Sequence, residues 1–179
     1  MLNNSHIKIL FVCQNNTSLS PMAAQIFINM LRKLKILDRF TIDSAATSIT
    51  EEGQSMNILA KEKLEYEGIE VGTHTSVQLK KEQYKDFDWI ICMSEENMRK
   101  CYHILGNCAV YVTPADVRSV FSRDPVSPIS LNGMVKPRVC RLLDFTDEHS
   151  NMKTPLTKYD YYRAFQKITY ACKALIKLL

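Results

Sequence analysis

Apolar residues in this chain alternate between short solid blocks and longer stretches in which they recur at helical spacing. Ile7-Lys8-Ile9-Leu10-Phe11-Val12 is a near-continuous apolar run of strand length, suited to a sheet covered on both faces. Pro21–Leu34 follows with helical periodicity. Pro21 fits a first turn, where its missing N–H is not needed, and Ser20 before it is the expected N-cap. Phe40–Ala45 predicts a second strand, and Met56–Gly68 a second helix closed by glycine. Asp88–Met93 (DWIICM) reads as a third, fully buried strand, Glu95–Leu105 as a helix stopped at Gly106, and Arg138–Phe145 (RVCRLLDF) as a fourth strand. From Asp160 to Leu179, the residues Phe165, Ile168, Ala171, Cys172 and Leu175 mark one face of a last helix.

Strands alternating with helices predict an α/β fold, a three-layer sandwich around a four-stranded parallel sheet with right-handed crossovers. Between Gly106 and Pro137 the alternation lapses. Pro114, Pro125, Pro128, Gly133 and Pro137 punctuate a stretch too long for an ordinary loop. Residues 1–179 are therefore expected to form one domain, with residues 107–137 an insertion that has some structure of its own. Cys108–Thr113 is a further strand candidate there, set aside because RVCRLLDF would then have no role.

Composition narrows the function classes. A formal charge of +4 on 179 residues, with lysines scattered through Lys33, Lys35, Lys61, Lys63, Lys80 and Lys81, is too mild to point to nucleic acid. The first residues lack the basic-then-apolar pattern of a secretory leader, and no apolar run is long enough to span a bilayer, so a cytoplasmic setting without membrane contact is expected. The six cysteines show no C-x-x-C spacing, which argues for buried thiols in a reducing compartment and against a disulfide framework or a zinc site. No metal or cofactor is expected.

The candidate chemistry lies in Val12–Pro21, VCQNNTSLSP. A cysteine that heads a loop between a strand and a helix N-terminus meets free backbone N–H groups and the positive end of the helix dipole. Such a field suits a bound anion and favours the nucleophilic thiolate. The candidate anion-binding residues are Gln14, Asn15, Asn16, Thr17, Ser18, Leu19 and Ser20, with Cys13 as nucleophile and Ser20 as support for its thiolate. Asn16 is expected to fix the loop, because asparagine tolerates left-handed backbone and bonds nearby amides.

These landmarks resemble the low-molecular-weight protein tyrosine phosphatases, whose loop reads C-x5-R-S-P. Cys13, Asn16, Ser20 and Pro21 fall on that loop in register. Ser44-Ala45-Ala46-Thr47 fits the family's S-A-[GA]-T turn, Gly68-Ile69 with His74 its G-I-x-x-H segment, and Phe87–Met93 with Asn97 its third strand. The resemblance covers everything except the insertion and implies a flavodoxin-like fold, a cysteinyl-phosphate mechanism and a phosphate or phosphotyrosine-like ligand. It also implies a phosphate-gripping arginine where this chain has Leu19, and an Asp-Pro acid where it has Thr154-Pro155. Losing such an arginine lowers phosphoryl transfer on the order of 10³–10⁵-fold, and losing a general acid roughly 10²–10⁴-fold. The expectation is therefore a phosphatase-like protein that binds its anion with hydrolysis weak or absent, and meets a protein partner through the insertion.

Two alternatives stay open at this level. Arg123-Asp124-Pro125 in the insertion offers both missing groups, so Asp124 as acid, with Arg123 or Arg118 as clamp, would make an active phosphatase. The second is a phosphocysteine carrier resembling the EIIB-type subunits of sugar phosphotransferase systems. Those also follow a strand with a cysteine-headed Ser/Thr loop and need no arginine, a pattern that Thr17, Ser18 and Ser20 fit.

Overall fold

The computed structural model describes residues 6–126 and 136–179. Its centre is β1 (Ile7–Cys13), buried along nearly its whole length, as an apolar run of this kind requires. β2 (Phe40–Ala46) pairs on one side of β1 and β3 (Trp89–Cys92) on the other, both parallel to it. β5 (Arg138–Arg141) continues the sheet beyond β3, and β4 (Val110–Tyr111) adds a short parallel edge. The order is β2-β1-β3-β5-β4.

The sheet thus has five strands where the sequence predicts four. Val110–Tyr111 and RVCR are both strands, because the chain leaves β3, reaches the edge, and returns through α4 (Val117–Arg123) to fill the place beside β3. Only Arg138–Arg141 of the predicted fourth strand is extended; Leu142–Phe145 coils into a 3₁₀ turn. Of the predicted insertion, residues 127–135 lie outside the described residues.

Helices cover both faces. Ile7, Ile9 and Phe11 face a core built with α1 (Leu19–Lys33), α2 (Ile58–Tyr66), α4 and α5 (Lys158–Ile176). In that core Phe27 meets Phe11 and Phe40 edge-on, with ring centres 5.9 and 6.1 Å apart. Leu10, Val12, Ile90 and Cys92 face a smaller core with Cys101 and Leu105 of α3 (Glu95–Leu105). α3 has the predicted bounds, capped by Ser94, which accepts from the Asn97 amide, and ended by Gly106 at a φ of 54°, a value glycine adopts without strain. Among the described residues, no helix is long and apolar enough to cross a membrane.

The strand order has one consequence for function. β1 is where the chain first builds outward to β2 and then reverses to β3, and a crevice opens beyond the carboxyl ends of strands at such a reversal. Cys13 is the last residue of β1.

Candidate active site

After Cys13 the chain turns through Asn16, whose φ of 57° lies in the left-handed region, and enters α1 at Leu19. Asparagine suits that backbone, and its buried side chain holds the loop from inside. Asn16 Nδ2 donates to Ser44 Oγ at 2.8 Å and to Ser20 Oγ at 3.0 Å, while its Oδ1 accepts from the Val77 amide at 3.2 Å. Neighbouring segments hold the loop from outside. His74 Nε2 donates to the Asn16 carbonyl at 2.7 Å and Ser76 Oγ to the Asn15 carbonyl at 2.6 Å. The loop after β2 adds a carboxylate, as Glu51 accepts from Thr17 Oγ1 at 2.6 Å and Asn15 Nδ2 at 2.9 Å.

The thiol sits within this frame. Cys13 Sγ receives the Asn16 amide at 3.2 Å and lies 3.0 Å from Ser20 Oγ. Ser20 is therefore a partner of the thiol and not the predicted N-cap. The helix starts earlier, with Ser18 in the cap position, and Ser18 turns its own hydroxyl to Tyr161 at 2.8 Å. Pro21 still falls in the first turn, so its missing N–H leaves no helical bond unmade.

Above the thiol is a cavity of about 460 Å³. Cys13, Gln14, Asn15, Thr17, Ser18 and Leu19 form its floor; Glu51 and Asn57 come from the β2 side, and Ser94, Glu96 and Asn97 from the start of α3. Asn151, Met152, Thr154 and Pro155 of the segment leading into α5, and Tyr161 of its first turns, close it. Burial pushes the Tyr161 phenol above its usual range, against the opposing Ser18 hydrogen bond, so it remains a neutral donor. Helix-terminus amides, a thiol and a neutral phenol suit an anion electrostatically. Leu19 brings no charge to that floor; it is 5% exposed and packs into the core of α1.

Of the residues expected from sequence, the cavity collects Cys13, most of the loop, Thr154 and Pro155; Asn16 and Ser20 lie buried behind the thiol. It does not collect Asp124. That carboxylate accepts from Arg138 Nη2 at 2.9 Å, and Arg138 begins β5, in register with Trp89 and through it with Ile9. Ile9 lies four residues, about 13 Å, before Cys13 along β1, so Asp124 belongs to the opposite edge of the sheet. Arg118 is likewise engaged, 3.0 Å from Asp147. The turn containing Asp124 is tied to the amino ends of β3 and β5, away from Cys13. Glu51, Asn57 and Tyr161 were missed, because each reaches the cavity by tertiary packing from a segment without a motif.

Comparison with known proteins agrees with this geometry. Residues 8–114, more than half of the chain, match the family model described as low molecular weight phosphotyrosine protein phosphatase. The proteins of that name from mouse and human are 37% and 35% identical over 91 residues, 51% of this chain and 57% of each relative. The match thus spans little more than half the length of those relatives. Among solved structures, YfkJ from Bacillus subtilis superposes with a TM-score of 0.75 at 24% identity, covering 97% of this chain and 94% of that one. A protein tyrosine phosphatase from Entamoeba histolytica gives 0.71 at 20%, covering 96% and 95%.

Proposed function

The chain belongs to the low molecular weight phosphotyrosine protein phosphatase family, and from that membership we propose that it binds a phosphate or phosphotyrosine-like anion on the Cys13 loop with hydrolysis weak or absent. The observation that carries this reading is Leu19, an apolar residue on the floor of an otherwise polar loop.

The reaction makes clear what is lacking. In a cysteinyl-phosphate mechanism the thiolate attacks phosphorus, the P–O bond to the leaving group breaks, and that oxygen takes a proton from an acid. Cys13 with Ser20 beside it supports the first step. The charge that builds on the equatorial oxygens meets amides but no guanidinium, and amides lack the forked, charge-assisted grip of arginine. Thr154, beside the cavity, offers a hydroxyl where a carboxylic acid is needed. Losing both an arginine and an acid leaves binding less affected than turnover, since the two act chiefly in the transition state.

The test is hydrolysis of para-nitrophenyl phosphate at mildly acid pH, run beside thermal stabilisation by inorganic phosphate. Stabilisation without Cys13-dependent turnover, and turnover gained in Leu19→Arg but not in Leu19→Arg/Cys13→Ser, supports the reading. Rapid turnover by the unmodified chain that Cys13→Ser abolishes would overturn the impaired-hydrolysis half. No stabilisation at millimolar phosphate would overturn the binding half.

A further inference from the structure

The side chains that line the cavity carry the wrong charge for a bare phosphate. They include no lysine, arginine or histidine, and two carboxylates, Glu51 and Glu96. Glu96 is paired with Lys100 at 2.9 Å. Glu51 meets only neutral donors among the described residues, Asn15 Nδ2 and Thr17 Oγ1, so its charge stands uncompensated against the loop. The other end of the Asn15 amide, Oδ1, is buried and has no hydrogen-bond partner among the described residues. A buried acceptor left unpaired is costly, and a carboxylate beside it repels a dianion while attracting a cation. The uncompensated carboxylate favours a ligand that brings positively charged N–H groups to the same side of the loop. The cavity, about 460 Å³, is large enough for a small ligand extending beyond one phosphoryl group.

We propose that Glu51 is the specificity-determining residue of this site, and that it selects phosphorylated ligands carrying a cationic nitrogen near the phosphorus over aryl phosphates. This rests on the reading that the loop binds anions. The loop amides take the phosphoryl oxygens, and Glu51 takes the nitrogen.

Calorimetric titration of the whole chain at neutral pH and low salt tests it, with O-phosphoethanolamine and phenyl phosphate as probes. The wild type should bind O-phosphoethanolamine about five- to tenfold tighter, the span expected for one partly screened charge pair. Glu51→Gln keeps an acceptor for Asn15 and a polar group for Thr17 but removes the charge; it should erase the preference, tightening phenyl phosphate and weakening the zwitterion. Equal or reversed preference in the wild type overturns the proposal without needing any variant. A preference that survives in folded Glu51→Gln overturns the role of Glu51. If the wild type binds neither probe nor inorganic phosphate, the anion-loop reading fails and this inference falls with it.

Discussion

Ser20 Oγ lies 3.0 Å from Cys13 Sγ, joining the end of β1 to the first turn of α1 across the loop. The same hydroxyl accepts from Asn16 Nδ2 and lies 3.4 Å from the Ala45 carbonyl, a long bond its proton can exchange for the closer sulfur. A hydrogen bond to a charged group contributes about 1.5–3 kcal/mol, so Ser20→Ala should slow the attack of Cys13 on an electrophile roughly tenfold. The check is the rate of Cys13 alkylation by iodoacetamide, followed by intact mass in a Cys108→Ser background, since Cys108 is the one cysteine that is not buried. An unchanged rate would mean that the hydroxyl serves only the loop.

Asn16 is the residue the loop should least tolerate losing. Asn16→Ala keeps a strained left-handed backbone and strips the buried Ser44 and Ser20 hydroxyls and the Val77 amide of one partner each. A loss of about 2–4 kcal/mol is expected in urea unfolding. Asn16→Asp should cost less, because it retains the acceptor for Val77.

How much of this was readable from the sequence depends on whether the signal was local. The solid run Ile7–Val12, the cysteine after it and the Ser94 and Gly106 ends of α3 are local signals, and the structure follows them to within a residue or two. Asn16 was legible as a loop-former because the chemistry of asparagine singles it out. Ser20 and Ser18 are equally good caps by residue type, and only the position of the thiol decides between them. A strand within Cys108–Thr113 competes with RVCRLLDF only if the sheet has four strands, and the sheet takes both. Glu51 was invisible, sitting in a polar turn whose neighbours in space are 34 and 36 residues away in sequence.

Leu19 and Thr154 flank the thiol in one cavity, so restoring both missing groups should give more than either alone. Leu19→Arg removes an apolar side chain that is 5% exposed, and a stability loss of about 1–3 kcal/mol is expected from its core contacts. Para-nitrophenyl phosphate turnover should nevertheless rise, by at least about tenfold, and rise again when Thr154→Asp is added. The combined gain should exceed the product of the single gains, because acid and clamp act on the same transition state. A double variant no better than Leu19→Arg would mean that Thr154 does not face the leaving group.

The buried thiols away from the site should be silent. Burial pushes Cys92 and Cys140 well above the ordinary thiol range, and Cys172 is raised by burial alone. A thiol kept neutral in the folded state stabilises the fold fully below its unfolded pKa, about 8.5, and that stability is lost as pH rises above it. Stability measured by urea midpoint should therefore fall on going from neutral to strongly alkaline pH. In parallel, a thiol reagent at neutral pH should label Cys108 and Cys13 in the native protein and the remaining four only in denaturant.

Asp124 makes the sharpest contrast with the sequence expectation, because its placement assigns it to fastening the sheet edge. Arg138 lies over Trp89, 5.6 Å from the ring centre, and its guanidinium donates to the carbonyls of Asp124 and Val126 as well as to the Asp124 carboxylate. Trp89 Nε1 donates to the Pro125 carbonyl at 2.8 Å, so the turn after α4 is held from both sides. The carboxylate is only one of these ties, and its side chain is 55% exposed. Asp124→Asn should thus lower stability by no more than about 1 kcal/mol and leave phosphate binding and any Cys13 turnover unchanged. Arg138→Ala breaks every guanidinium tie at once and uncovers one face of the ring; about 2–4 kcal/mol should be lost. Trp89, the single tryptophan, reports the difference, its emission moving in Arg138→Ala and staying in Asp124→Asn. If turnover were detectable and fell in Asp124→Asn without any shift of that emission, the acid role would return and the edge-fastening account would fail.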